Sequence, residues 1–172
     1  TEKLDAMLLF AQESMYWLTG YDTFGFCFFQ CLVVMREGEK VLLTRSADQR
    51  QAKHTSNISD IRIWIDRGSA SPVLQLKELL FDMDLLGCKL GVEYDTQGMT
   101  GKIALKLNEE LASFADVSDV SPLIPELRAV KSAEEIVYVR KAAELADKAF
   151  YAAMDEIHPG ADEGRILAAM QG

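Results

Sequence analysis

The sequence predicts an α/β fold: a mixed β-sheet flanked by helices, followed by one long helix. Three observations carry that prediction. Up to Pro122, short apolar runs alternate with amphipathic stretches of helical period, the pattern of a sheet covered on both sides. The apolar runs at 26–35 and 41–46 are separated by REGEK, with Gly38 in the turn, so at least one strand pair is an antiparallel hairpin and the sheet is mixed. Beyond Pro125 the strand-like runs cease, and apolar residues recur every three or four positions as far as Ile157, which is helical spacing.

Each element has its own local reason. DAMLLF (5–10) is a short apolar run, read as a strand. AQESMYWL is a polar helix of one or two turns, ended at Thr19-Gly20. FCFFQCLVVM (26–35) is apolar on both faces, as a central strand is, and VLLTRS (41–46) is its hairpin partner. ADQRQAKHTS (47–56) is a polar surface helix. IRIWID (61–66) alternates, with Ile61, Ile63 and Ile65 on one face and Arg62, Trp64 and Asp66 on the other. Ser71-Pro72 starts a helix with Pro in the first turn, and Val73, Leu76, Leu79 and Leu80 form its inner stripe. KLGVEYD (89–95) is a strand, 99–112 a helix with Ile103, Leu107 and Leu111 inward, and FADVSDVSP (114–122) an edge strand ended by proline. SAEE (132–135) carries a capping box, since Ser132 can accept from the Glu135 amide and Glu135 can reach back. The long helix it opens stops at His158-Pro159-Gly160, and another begins near Asp162.

The bulk properties exclude some functions. A net charge of −9 without a Lys/Arg cluster argues against a nucleic-acid backbone or an anionic membrane as the main partner. The longest nearly apolar run, Phe24 to Met35, falls far short of the ~20 residues a spanning helix needs. The start of the chain lacks the basic segment of a secretory signal. The three cysteines contain no CxxC pair, and buried free thiols in a reducing cytoplasm are expected. Of the two histidines, His54 lies in a polar helix and His158 beside a helix stop. Neither has a partner at ligand spacing, so a structural role is expected for both and no metal site in this chain. GMTGK (98–102) lacks the spacing of a phosphate loop and the hydroxyl residue after Lys. Glu93 and Asp95 stand near the C-terminal end of a strand, where a crevice can form; a solvated or capping role is the expectation.

Two stretches carry a resemblance. In LRAVKSAEEIVYVRKAAELADKAFYAAMDEIHPGADEGRI (127–166), Arg128, Lys131, Ser132, Glu135, Ile136, Arg140, Ala142, Ala143, Gly160 and Glu163 match a family pattern. It is the junction between the two domains of the creatinase/prolidase (pita-bread) hydrolases. DAMLLF followed by YWLTGY, an apolar strand and LLT resembles that family's N-terminal domain. The resemblance covers essentially the whole chain. It implies a ribonuclease H-like mixed sheet over residues 1–125, then a linking helix and the start of a catalytic domain over 126–172. The catalytic domain itself is expected beyond Gly172. In the peptidases of this family it holds two divalent metals (Mn, Co or Zn) through two Asp, one His and two Glu; creatinase uses a His without metal.

The function so implied is that of a substrate-capping and dimerising N-terminal domain. Its parent would be a cytoplasmic hydrolase of Xaa-Pro dipeptides or of a small C–N-bonded zwitterion, and the chain alone would be inactive. Lyase chemistry, to which some members have been recruited, stays open. So does a second class, a non-catalytic pseudopeptidase-type module that binds protein partners. The loop after YWLTG is the expected substrate-facing element. Tyr21 and Phe24 would offer apolar walls and Asp22 an acceptor for a substrate ammonium. For Tyr21 and Asp22 a structural role is equally open: an Asx turn at Asp22 would satisfy the Phe24 amide. Trp64 and Arg67, with Asp66, form a second candidate. Tyr16, Trp17, Phe28 and Phe29 are expected in the core.

Overall fold

A computed structural model describes residues 3–65, 67–68 and 70–172. They form two compact units, 1–126 and 127–172.

The first unit is built on a six-stranded mixed sheet. Its strands are β1 (Ala6–Leu9), β2 (Cys31–Met35), β3 (Lys40–Thr44), β4 (Asp60–Ile63), β5 (Lys89–Val92) and β6 (Asp116–Asp119), in the order β4-β3-β2-β1-β5-β6. The expected hairpin is present: β2 pairs antiparallel with β3, Leu32 opposite Leu42, and with β1, Leu8 opposite Val33. The other three pairings are parallel. Gly38 makes the hairpin turn with φ +91°, which only glycine adopts without strain.

Because side chains alternate across a strand, the sheet has two apolar faces. On one, Leu8, Val33, Leu43, Leu90 and Val92 pack with α3 (Pro72–Asp82) and α4 (Gly101–Leu111), through Leu76, Leu80, Leu107 and Leu111. On the other, Leu9, Leu32 and Leu42 pack with α1 (Gln12–Thr19) and α2 (Gln49–Thr55), through Met15 and Ala52. Ile124 of α5 (Leu123–Ala129) joins that second cluster. Burying each such leucine contributes about 1.5–3 kcal/mol, so the two-faced cover is what makes the sheet stable. Both faces bear helices, as the alternating runs imply.

The strand read over 26–35 is shorter than expected. Residues Gly25–Cys27 form one 3₁₀ turn and β2 begins only at Cys31. Gln30 is the reason: its buried amide donates back to the Gly25 carbonyl at 2.8 Å, closing the turn instead of extending the strand. Phe26 and Phe28 therefore project outward and are about half exposed. Of the aromatics expected in the core, Phe29 is buried, while Tyr16, Trp17 and Phe28 are exposed. All three cysteines are free; Cys31 is buried, but Cys27 is exposed in the turn.

The second unit holds α6 (Ala133–Glu156) and α7 (Glu163–Gln171). Both arms of the capping box form: Glu135 donates its amide to Ser132 Oγ at 3.1 Å and accepts from the Ser132 amide at 2.7 Å. Asp162 caps α7 by accepting from the Arg165 amide.

Candidate functional site

The site lies outside the carboxyl ends of β1 and β5, two adjacent parallel strands, where α/β sheets form crevices. A cleft of about 390 Å³ opens there, lined by Ala11, Gln12 and Glu13 after β1, Asp95, Thr96 and Gln97 after β5, and Phe26 from the 3₁₀ turn. Glu93, which follows β5 and is not part of that lining, is only 2 % exposed. Ala11, at the N-cap of α1, has no side chain with which to cap. Glu93, just after β5 on the neighbouring strand, binds the entry to the helix: Oε2 accepts from the amides of Phe10 (2.9 Å) and of the N-cap Ala11 (2.8 Å), and Oε1 from Ser14 Oγ. A carboxylate at that end also complements the helix dipole. Glu93 is thus a capping residue as expected, though buried and not solvated. Asp95 is exposed and faces the cleft; its amide and that of Tyr94 donate to Ser121 Oγ.

The loop after α1 is tied to the cleft lining through Gln12. Gly20 ends the helix in the left-handed region, φ +78°, where a Cβ would lie 2.8 Å from the Thr55 carbonyl oxygen. From there residues alternate inward and outward: Tyr21, Thr23 and Gly25 are buried, Asp22 and Phe24 exposed. Tyr21 has no exposed surface. Its hydroxyl donates to Gln30 Oε1, which also accepts from Thr44 Oγ1 at 2.7 Å. Burial pushes the Tyr21 phenol up from its ordinary value. Gln12 Nε2 donates to the Tyr21 carbonyl at 2.7 Å. Thr23 Oγ1 donates to Asp48 Oδ1 at 2.8 Å and accepts from the Gly25 amide at 2.9 Å.

The structure therefore divides the sequence candidates. Asp22 and Phe24 reach solvent, Phe24 with 89 % of its surface exposed. Tyr21 does not face a ligand in this chain: it is a core residue whose hydroxyl is consumed by Gln30. In place of an Asx turn from Asp22 to the Phe24 amide, the described residues show a turn one residue later, from Thr23 Oγ1 to the Gly25 amide. The Asp22 amide donates to Thr55 Oγ1 at 3.1 Å, and its carboxylate has no bond among the described residues.

Trp64 is likewise buried, its ring edge-on to Phe29 and its Nε1 donating to the Phe29 carbonyl at 3.0 Å. The alternation of IRIWID places it inward because both sheet faces are covered. Arg67 is exposed and stands apart from the cleft lining; Asp66 lies outside the described residues. The residues that hold the loop, Thr23, Gln30, Arg45 and Asp48, were not foreseen. The only signal for them is that Thr23 and Gln30 are polar residues inside an aromatic run. Among the described residues no group of three or more His, Cys, Asp or Glu side chains could hold a metal ion, so the residues present do not fit a metal centre. No helix is long and apolar enough to cross a membrane among them.

Residues 1–130 match the Creatinase/Prolidase N-terminal domain family. The chain is 27 % identical over 172 residues to an ectoine hydrolase from Halomonas elongata, covering 96 % of this chain and 43 % of that protein. It is 29 % identical over 172 residues to an Xaa-Pro dipeptidase from Pyrococcus horikoshii, covering 98 % of this chain and 42 % of that one. Among solved structures, a prolidase from Thermococcus sibiricus superposes with a TM-score of 0.74 at 22 % identity, over 97 % of this chain and 44 % of that one. The chain spans less than half the length of the curated relatives named here.

Proposed function

The chain belongs to the creatinase/prolidase N-terminal domain family, and from that premise we propose that it is the substrate-capping and dimerising part of a hydrolase. The reaction of the whole protein would be cleavage of an Xaa-Pro dipeptide or of a small C–N-bonded zwitterion. The observation that carries this reading is the fixed loop that holds Asp22 and Phe24 out in solvent and is tied at the Tyr21 carbonyl to Gln12 of an acidic cleft. A carboxylate next to an aromatic face suits a ligand that carries an ammonium group and an apolar ring or chain. Glu13 and Asp95 in the cleft lining add acceptors of the same sign.

The chain's own contribution is binding and orientation; bond cleavage belongs to residues outside it. Divalent metal chemistry, with Mn, Co or Zn, would likewise be supplied there, and no step of it passes through the residues described. A cytoplasmic homodimer is the expected setting, in which the loop of one subunit covers the site of the other.

The test uses the full-length protein and a substrate panel of Xaa-Pro dipeptides, creatine and ectoine. One member should be turned over. On that substrate Asp22→Ala should lower kcat/KM about tenfold, mainly through KM, while the urea midpoint stays the same. Turnover of none of them, with specific capture of a protein partner through the loop, would favour a non-catalytic binding module. An unchanged kcat/KM for Asp22→Ala would remove Asp22 from the site.

A further inference from the structure

Asp48 occupies the N-cap of α2 and does not cap it. Its side chain accepts from no amide of that helix, although an Asp in that position ordinarily accepts from the second or third helical amide. Asp48 is 4 % exposed, and its carboxylate turns the other way. Oδ1 accepts from Thr23 Oγ1 at 2.8 Å, and Oδ2 from Arg45 Nε and from an Arg45 terminal nitrogen, both at 2.8 Å. Its oxygens also press on Gly25, where a Cβ would come within 2.6 Å of Oδ1 and 2.8 Å of Oδ2. Arg45, held by that carboxylate, lays its guanidinium over the Phe28 ring, 3.5 Å from the centroid.

One buried anion thus constrains the loop at three places: at Thr23 by a hydrogen bond, at Gly25 by leaving no room for a Cβ, and at Phe28 through Arg45. A side chain that served α2 alone would make none of these contacts. We propose that Asp48 is the positioning residue of the 21–28 loop, setting where Phe24, Phe26 and Phe28 stand and so acting on ligand binding without touching the ligand. The consequence for ligand binding rests on the reading of this loop as a substrate cap; the positioning itself does not. Gly25 is part of the same device, because any side chain there displaces a carboxylate and an amide that are both already bonded.

The experiment compares Asp48→Ala, Asp48→Asn and Gly25→Ala in the full-length protein by amide hydrogen exchange and by steady-state kinetics. Asp48→Ala should speed exchange of the peptide covering 22–28 at least tenfold, with the β2–β3 peptide unchanged, and raise KM about tenfold with kcat within twofold. Asp48→Asn keeps an acceptor for Thr23 and should fall between wild type and Asp48→Ala. If Asp48→Ala does not fold, Gly25→Ala, which removes neither Asp48 nor Arg45 and crowds the carboxylate from the loop side, should show the same loop-confined change. Exchange that is unchanged at 22–28, or raised equally everywhere, overturns the proposal. A loosened loop with unaltered KM upholds the positioning and removes the capping role.

Discussion

At the start of α1 a carboxylate is spent wholly inside the protein, and just past its end another is left in water. Glu93 is buried and accepts three hydrogen bonds, one from the first turn and two from the pair of residues before it. Asp22 is exposed, and only its backbone is held, by Thr55. The same helix thus has one end fixed by a residue 82 positions away and another that opens into a loop of alternating anchors and free tips. Burying a carboxylate is costly unless its oxygens are satisfied, so the first use is read as architecture. An exposed aromatic and a free carboxylate on a held backbone contribute little to stability, and that arrangement leaves them available to a ligand.

The comparison breaks first at Glu93 if it is wrong. Glu93→Ala leaves two amides and a hydroxyl without their acceptor, and should cost about 3–5 kcal/mol. At 2–4 °C per kcal/mol for a chain of this size, the melting temperature should fall by roughly 10 °C. Asp95→Ala, two residues on and exposed, should stay within about 0.5 kcal/mol. Urea denaturation of the three proteins decides it, and a loss below about 1 kcal/mol for Glu93→Ala would mean that the α1 cap is dispensable.

A smaller effect is expected at the inward side of the loop. Tyr21→Phe removes a hydroxyl whose partner, Gln30 Oε1, still accepts from Thr44. The cost should be about 1 kcal/mol, a single neutral hydrogen bond, with the ring still packed in the core. A loss as large as that of Glu93→Ala would show that the Tyr21–Gln30–Thr44 cluster acts as one network and not as separate bonds.

What was legible in the sequence follows the range of the interaction. The inner stripe of α3, the capping box at Ser132 and Glu135, and the stop at Gly20 are all encoded within a few residues, and all are found where the residues place them. The sheet with both faces covered was legible from runs apolar on both sides. The capping role of Glu93 could be stated as a type but its target could not, because its partners are some eighty residues earlier. The aromatic run 24–29 misleads for a related reason. Its apolar character is real, but Gln30 folds back on Gly25, and Asp48, brought near only by the β3–α2 connection, holds Thr23. Hydrophobic period cannot distinguish a Phe that packs from one that is held outward. Trp64 shows the converse: the residues offer it, with Arg67, as a substrate-facing candidate, and it lies in the core, because the helix that covers its face comes later in the chain.

The smallest change in stability is expected at the loop tip, and there the contrast between the two ends of α1 is sharpest. Phe24 is 89 % exposed, so trimming it to alanine removes almost no buried surface, and the unfolding free energy should move by no more than about 0.5 kcal/mol. If Phe24 is held outward to meet a ligand, the cost must appear in binding instead. In the full-length protein, on the proposed substrate, Phe24→Ala should raise KM several-fold, while Phe24→Leu, which keeps apolar bulk without the ring, should recover part of the loss. Equal KM for wild type and both variants would make Phe24 an exposed residue of no consequence to this reaction. Full recovery by leucine would show that bulk alone matters, leaving no part for the aromatic face that the proposed ammonium ligand would use.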